Sequence, residues 1–167
     1  QCWARDPNDV GKKHRRHQLP IEEKESKKWL VSYRAVAEIQ KICPDTMMVS
    51  VGDREADLYE LFHEAAQDPS GPKLLIRAER TRSRRVIEED KKEELWKRMD
   101  SECVAGLIDV AVPRRSSQPA RTARLQVRFA QVVLNPPLKS KLPALSICVV
   151  YAREVGYRID VKEPIDW

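Results

Sequence analysis

The sequence predicts an α/β fold in two parts: an α/β unit over residues 1–79, then a β-rich, basic unit over 80–167. Two patterns carry that expectation. In the first part, two short apolar runs enclose an amphipathic helical stretch; strand, helix, strand over about thirty residues marks a parallel βαβ unit. Beyond residue 80, apolar and polar residues alternate between proline turns, which reads as a set of strands.

Taken in order, residues 1–20 are polar and irregular. Lys12, Lys13, His14, Arg15, Arg16 and His17 read as a solvated basic loop. Pro20 then opens a helix: Glu22, Glu23 and Glu25 fill its first turn, where the dipole favours anions. Trp29, Tyr33, Val36 and Ile39 recur at helical spacing, and Pro44 stops it. Residues 47–51 read as a buried strand closed by Gly52. Leu58, Leu61, Phe62 and Ala65 predict an amphipathic helix over 54–67. A turn over 68–72 leads to a second strand over 73–79. Further on, an acidic helix is expected over 88–102, with Leu95, Trp96 and Met99 inward. Leu125, Val127 and Phe129, and later Tyr157, Ile159 and Val161, alternate with polar residues as strands do.

Composition excludes several classes. With 41% hydrophobic and 34% charged residues, the chain reads as a soluble globular protein of the cytoplasm. Its longest nearly apolar run, 144–152, is too short for a membrane span, and no signal-peptide pattern opens it. Five dispersed glycines exclude a dinucleotide fingerprint, a phosphate-binding P-loop and a nucleophile elbow, all of which need clustered glycines. Cys2, Cys43, Cys103 and Cys148 are too far apart for a zinc knuckle, and their apolar neighbours suggest reduced core thiols.

Charge is more informative. The net charge is +5, yet between Asp109 and Glu154 there is no acid at all. That stretch holds Arg114, Arg115, Arg121, Arg124, Arg128, Lys139, Lys141 and Arg153. Upstream, Arg80, Arg82, Arg84 and Arg85 fall within six positions. These charges form either a solvated surface or a face that tracks phosphates.

The sharpest local feature is Val51-Gly52-Asp53-Arg54-Glu55-Ala56-Asp57. Asp53 falls just past the carboxyl end of a strand, where ligands of open α/β sheets sit. A carboxylate there suits a hard divalent cation, and two such ions can carry a phosphoryl displacement. Asp is equally a preferred helix N-cap, so both roles stay open. Glu55 and Asp57 read as exposed first-turn acids. Asp100, Glu102 and Asp109 are the later acids available as partners, and none is marked out by its surroundings.

The Val51–Asp57 string with Leu58 resembles the segment around the second catalytic aspartate of DDE-type cut-and-paste transposases, in the insertion-sequence-four (transposon Tn-five) group. Glu23-Lys24-Glu25-Ser26-Lys27-Lys28-Trp29-Leu30 resembles that family's helix opening, and Leu74-Leu75-Ile76-Arg77 its following strand with a DNA-contacting arginine. Gln118-Pro119-Ala120-Arg121 with residues 125–134 resembles the β-strand domain inserted into the family's core. The resemblance implies a partial RNase H-like core over 1–79 and an inserted β domain with a basic face over 80–167. It also implies that Asp53 is catalytic and binds Mg²⁺ or Mn²⁺. By the same likeness Arg54, Arg77, Arg80, Arg82, Arg121 and Arg124 meet the double-stranded DNA of transposon ends, in a homodimer that works at the bacterial nucleoid. The family's first aspartate is expected before residue 1, and its glutamate, in a Tyr-x-x-Arg-x-x-x-Glu-x-x-x-x-x-x-Lys helix, after residue 167. One of three catalytic acids is then present, and the chain alone is expected to be inactive. The alternative is a basic nucleic-acid-binding module in which Asp53 is only a cap.

Overall fold

A computed structural model describes residues 26–82, 84–88, 91–114, 118–138, 140–157, 159 and 161–167. The basic cluster at 12–17, Glu22, Glu23, Glu25 and Cys2 lie outside the described residues. The chain is mixed α/β and divides into two compact units, 1–76 and 77–167. Among the described residues no helix is long and apolar enough to cross a membrane.

In the first unit, helix α1 (Lys27–Ile42) and helix α2 (Tyr59–Gln67) pack on one face of a two-stranded parallel sheet, β1 (Val49–Gly52) and β2 (Lys73–Ile76). The register pairs Ser50 with Leu74 and Gly52 with Ile76, so these four share the helix-facing side. Leu30, Tyr33, Ala56, Leu58 and Leu61 form the core there, with Trp29, Ala65, Leu74 and Ile76 packed against it. Polar bonds fix the crossings. Arg34 grips Glu64 through Nε and Nη2 at 2.7 and 2.8 Å, and the Tyr33 hydroxyl donates to the carbonyl of Pro72. Buried Gln40 donates to the carbonyls of Cys43 and Thr46 and accepts from the Met48 amide, so one side chain sets the loop into β1.

Several expectations for this unit are corrected. The strand at 47–51 is not buried: it covers Val49–Gly52, and Val49, Val51 (69% exposed) and Leu75 are exposed on the side away from α1 and α2. The apolar run predicts a buried strand, whereas among the described residues the sheet is covered by α1 and α2 on one face. The second strand ends at Ile76, not 79. The helix expected over 54–67 is broken into a 3₁₀ turn, Arg54–Ala56, and α2 from Tyr59. Ile39, assigned to the inner stripe of α1, is exposed.

The second unit is an antiparallel five-stranded sheet built around β6 (Arg121–Leu134). A hairpin of β3 (Arg85–Glu88) and β4 (Lys91–Glu94) joins β6 through Val86–Leu134 and Ile87–Val133. Strand β5 (Gly106–Val112) pairs with residues 121–127 of β6, and β7 (Leu145–Glu154) with residues 125–134. Because β7 overlaps both other partners, β5 and β3 must share the opposite edge of β6, one at each end.

Directly opposed residues share a face, which divides the sheet's burial. On one face Val86, Val132, Leu134, Leu145 and Tyr151 are buried beneath the short helix α3 (Leu95–Asp100), whose Leu95 and Met99 are also buried. The Trp96 ring meets Tyr151 edge-on at 5.9 Å. On the other face Ala123, Leu125 and Glu154 are buried at the β5 end, while Phe129 (65% exposed) and its opposite number Val150 are bare. The half-buried strand expected around Leu125, Val127 and Phe129 is present, but its inward side changes midway.

The helix expected over 88–102 is reduced to Leu95–Asp100, and the residues before it, 88 and 91–94, lie in the β3–β4 hairpin. Its paired residues Lys91-Lys92-Glu93-Glu94 suit strand as well as helix, and Val86–Ile87 finds a sheet edge. No strand forms at Tyr157, Ile159 or Val161; Tyr157 and Ile159 are exposed. The core-thiol reading also fails where it can be checked: Cys43 is half-buried, and Cys103 and Cys148 are exposed and free.

Candidate nucleic-acid interface

Asp53 follows directly on β1, at the carboxyl end of the parallel pair. Its backbone is extended, and its Oδ1 accepts the Glu55 amide at 3.0 Å. The Asp53 carbonyl accepts the Ala56 amide, closing the 3₁₀ turn. The cap reading is therefore realised, and it occupies one carboxylate oxygen; among the described residues Oδ2 takes no hydrogen bond. Asp53, Arg54 and Glu55 are exposed, and Glu55 is tied to Lys28 at 2.9 Å.

The turn is short because β1 has no room above it. A Cβ placed on Gly52 would lie 2.5 Å from the Ala56 Cβ and 2.9 Å from the Ile76 Cδ1. This packing draws Ala56 onto the strand and swings Asp57 inward, to 1% exposure. Asp57 was expected to be an exposed first-turn acid, and the break in the helix is what reverses it. The Leu58 amide then bonds to the Ala56 carbonyl before α2 begins.

Mg²⁺ or Mn²⁺ needs several oxygen ligands. Among the described residues no group of three His, Cys, Asp or Glu side chains could hold a metal. Asp53 offers a single free carboxylate oxygen, so the residues described here do not make a site for the ion by themselves.

The arginines of the second unit are mostly engaged. Arg121 Nη2 donates to Glu154 at 2.7 Å, inside the fold, where the Glu154 side chain is 2% exposed. Arg124 grips Asp109 through Nε and Nη2 at 2.9 and 3.0 Å. Their bonds hold the Asp109 carboxyl below, and the Arg124 guanidinium above, the usual ranges. Arg128 donates to the Glu102 carbonyl and to Gln126, and Arg153 to Asp100. The acid-free stretch is thus a smaller basic surface than its eight charges imply, because acids bordering it in sequence fold onto its arginines. Arg114 and Lys141 remain exposed; Arg115 and Lys139 lie outside the described residues.

Arg77, Arg80 and Arg82 are exposed at the start of this unit. The Arg77 guanidinium lies 4.9 Å over the Trp167 ring, and that of Arg80 lies 5.1 Å over Trp96 while pairing with Asp166. Hydrogen bonding to Asp166 pushes Arg80 further up. Asp166 and Trp167 are the residues that sequence reasoning missed. Nothing local marks them, because their partners lie more than eighty positions away.

No protein-family model and no curated protein matches the chain.

Proposed function

We propose that the chain is part of a metal-dependent DNA transposase that nicks and transfers strands at transposon ends. The observation that carries the reading is the position of Asp53: the first residue after a parallel strand, with one carboxylate oxygen left for a ligand, inside the string that resembles the family's second catalytic segment. In this reading the β1–α2–β2 unit belongs to an RNase H-like core, and the second unit is the domain inserted into it. Asp53 contributes one metal-binding carboxylate. Arg54, Arg77, Arg80 and Arg82 contact DNA phosphates, and the intact protein works as a homodimer on two DNA ends.

A divalent cation held by Asp53 together with carboxylates beyond the described residues would supply charge for the attacking and leaving oxygens of a phosphoryl displacement. This chain's residues do the positioning: Gly52 and Ala56 fix the turn, and the Glu55 amide orients the Asp53 carboxylate.

The test uses the protein encoded by the whole reading frame. An aspartate ending an apolar strand upstream, and a Tyr/Arg/Glu/Lys helix downstream, are expected there. Asp53→Ala should abolish Mg²⁺-dependent nicking of transposon-end DNA while binding survives. Nicking that persists in Asp53→Ala, or a full frame lacking both flanking acids, overturns the transposase reading.

The Asp53 cap bond favours one second reading, a non-catalytic nucleic-acid-binding module. In that case Asp53→Ala leaves DNA binding intact and lowers stability by about 1 kcal/mol, as lost caps do.

A further inference from the structure

The segment Ile165-Asp166-Trp167 is strapped across two of the arginines just assigned to DNA. Beside β7 it makes three backbone bonds: the amides of Ala152 and Glu154 donate to the carbonyls of Trp167 and Ile165, and the Trp167 amide donates to the Ala152 carbonyl. Glu154 Oε2 accepts the Ile165 amide at 2.8 Å while holding Arg121. From this strap Asp166 reaches Arg80 and the Trp167 ring covers Arg77.

We propose that Asp166 and Trp167 form an intramolecular latch that competes with DNA for Arg80 and Arg77. The inference rests on the DNA-binding reading and adds a means of regulating it. A carboxylate on a guanidinium uses the same N–H donors that a phosphate oxygen takes. An arginine stacked on an indole presents one face fewer to a partner. Both contacts open to solvent on one side: the Arg80 side chain is 52% exposed and Trp167 is half-exposed, while the Asp166 side chain is 27% exposed. Pairs that reach solvent in this way are weak, so a polyanion offering several phosphates can displace them, whereas Glu154 and the backbone bonds keep the strap in place. The latch lowers affinity for stray DNA and yields to a duplex that also engages other cations.

Asp166→Asn and Trp167→Ala are compared with the unaltered chain by fluorescence anisotropy on a short labelled duplex at low and near-physiological salt. Each should tighten binding about 2- to 5-fold, the scale of one exposed pair. Arg80→Ala should remove the gain from Asp166→Asn. Glu163→Gln, which makes the same change in charge at an exposed neighbour, should stay within about twofold of the parent. If Asp166→Asn matches Glu163→Gln, or keeps its gain beside Arg80→Ala, the latch is refuted and the DNA-binding reading stands. Absence of salt-dependent binding in every variant refutes both. In the unaltered chain, saturating duplex should shift the Asp166 carboxyl ¹³C resonance; an unmoved resonance overturns the latch without relying on any variant.

Discussion

Glu154 shows how a single residue organises the second unit. Its carboxylate is buried, takes both Arg121 and the Ile165 amide on Oε2, and so joins β6, β7 and the 165–167 strap. Removing it leaves the part-buried Arg121 guanidinium without its carboxylate, and the loss of one partner from such a pair is costly. Glu154→Ala should lower unfolding free energy by about 3 kcal/mol, and Arg121→Met in the same chain should recover part of that. Urea unfolding of the three variants checks this; a loss for Glu154→Ala below about 1 kcal/mol would show that the pair is solvated. Arg124 and Asp109 make a contrasting, exposed pair. The hydrogen bonds from Arg124 depress the Asp109 carboxyl from its ordinary 3.8. A depressed folded value means that the pair's contribution is fully present above pH 3.8 and is lost as pH falls through the lower folded value. Asp109→Asn should therefore narrow its stability gap from the parent only below that point. A gap unchanged down to the acid transition would refute the assignment.

Among the elements, the 3₁₀ turn between β1 and α2 depends most on one residue. Gly52→Ala places a methyl against Ala56 and Ile76, and overpacking of this kind costs about 1–3 kcal/mol. The loss should appear in circular dichroism melts, and Ala56→Gly should relieve part of it, since the closest atom is the Ala56 methyl. An unchanged melting temperature in Gly52→Ala would mean that β1 and the turn sit farther apart. This turn also shows what a sequence conveys. The parallel pair, α1 and α2 were legible because Leu58, Leu61 and Ala65, or Trp29 and Tyr33, signal their faces within a few residues. The cap role of Asp53 was legible for the same reason. The burial of Asp57 was not, because it follows from the clearance between Gly52 and Ile76, two residues from different strands. The β3–β4 hairpin was missed for a related reason: Lys91 to Glu94 suit either helix or strand, and the choice is made by Val133 and Leu134, some forty positions on.

At the scale of the whole molecule, net charge is a poor guide to the surface that faces a polyanion. Read along the sequence, the acid-free stretch offers eight cations; in the fold Arg121, Arg124 and Arg153 are spent on Glu154, Asp109 and Asp100, and Arg128 on a carbonyl and an amide. An arginine already paired must exchange one anion for another on binding, whereas an unpaired one releases counterions from the DNA. Each phosphate newly neutralised steepens the plot of log affinity against log salt by about 0.9. Arg114→Ala or Lys141→Ala, at exposed positions, should each flatten that slope by about 0.9 if DNA runs over this unit. Arg124→Ala, which frees Asp109 as it removes a cation, should weaken binding with little change in slope, because the pair's charge was cancelled beforehand. Anisotropy titrations at four or more salt concentrations separate the cases. If Arg124→Ala flattens the slope as much as Arg114→Ala does, the Asp109 pair opens on DNA and the full basic stretch is available. If none of the three alters it, DNA binding belongs to other cations, and the Arg77–Arg80 segment becomes the place to look.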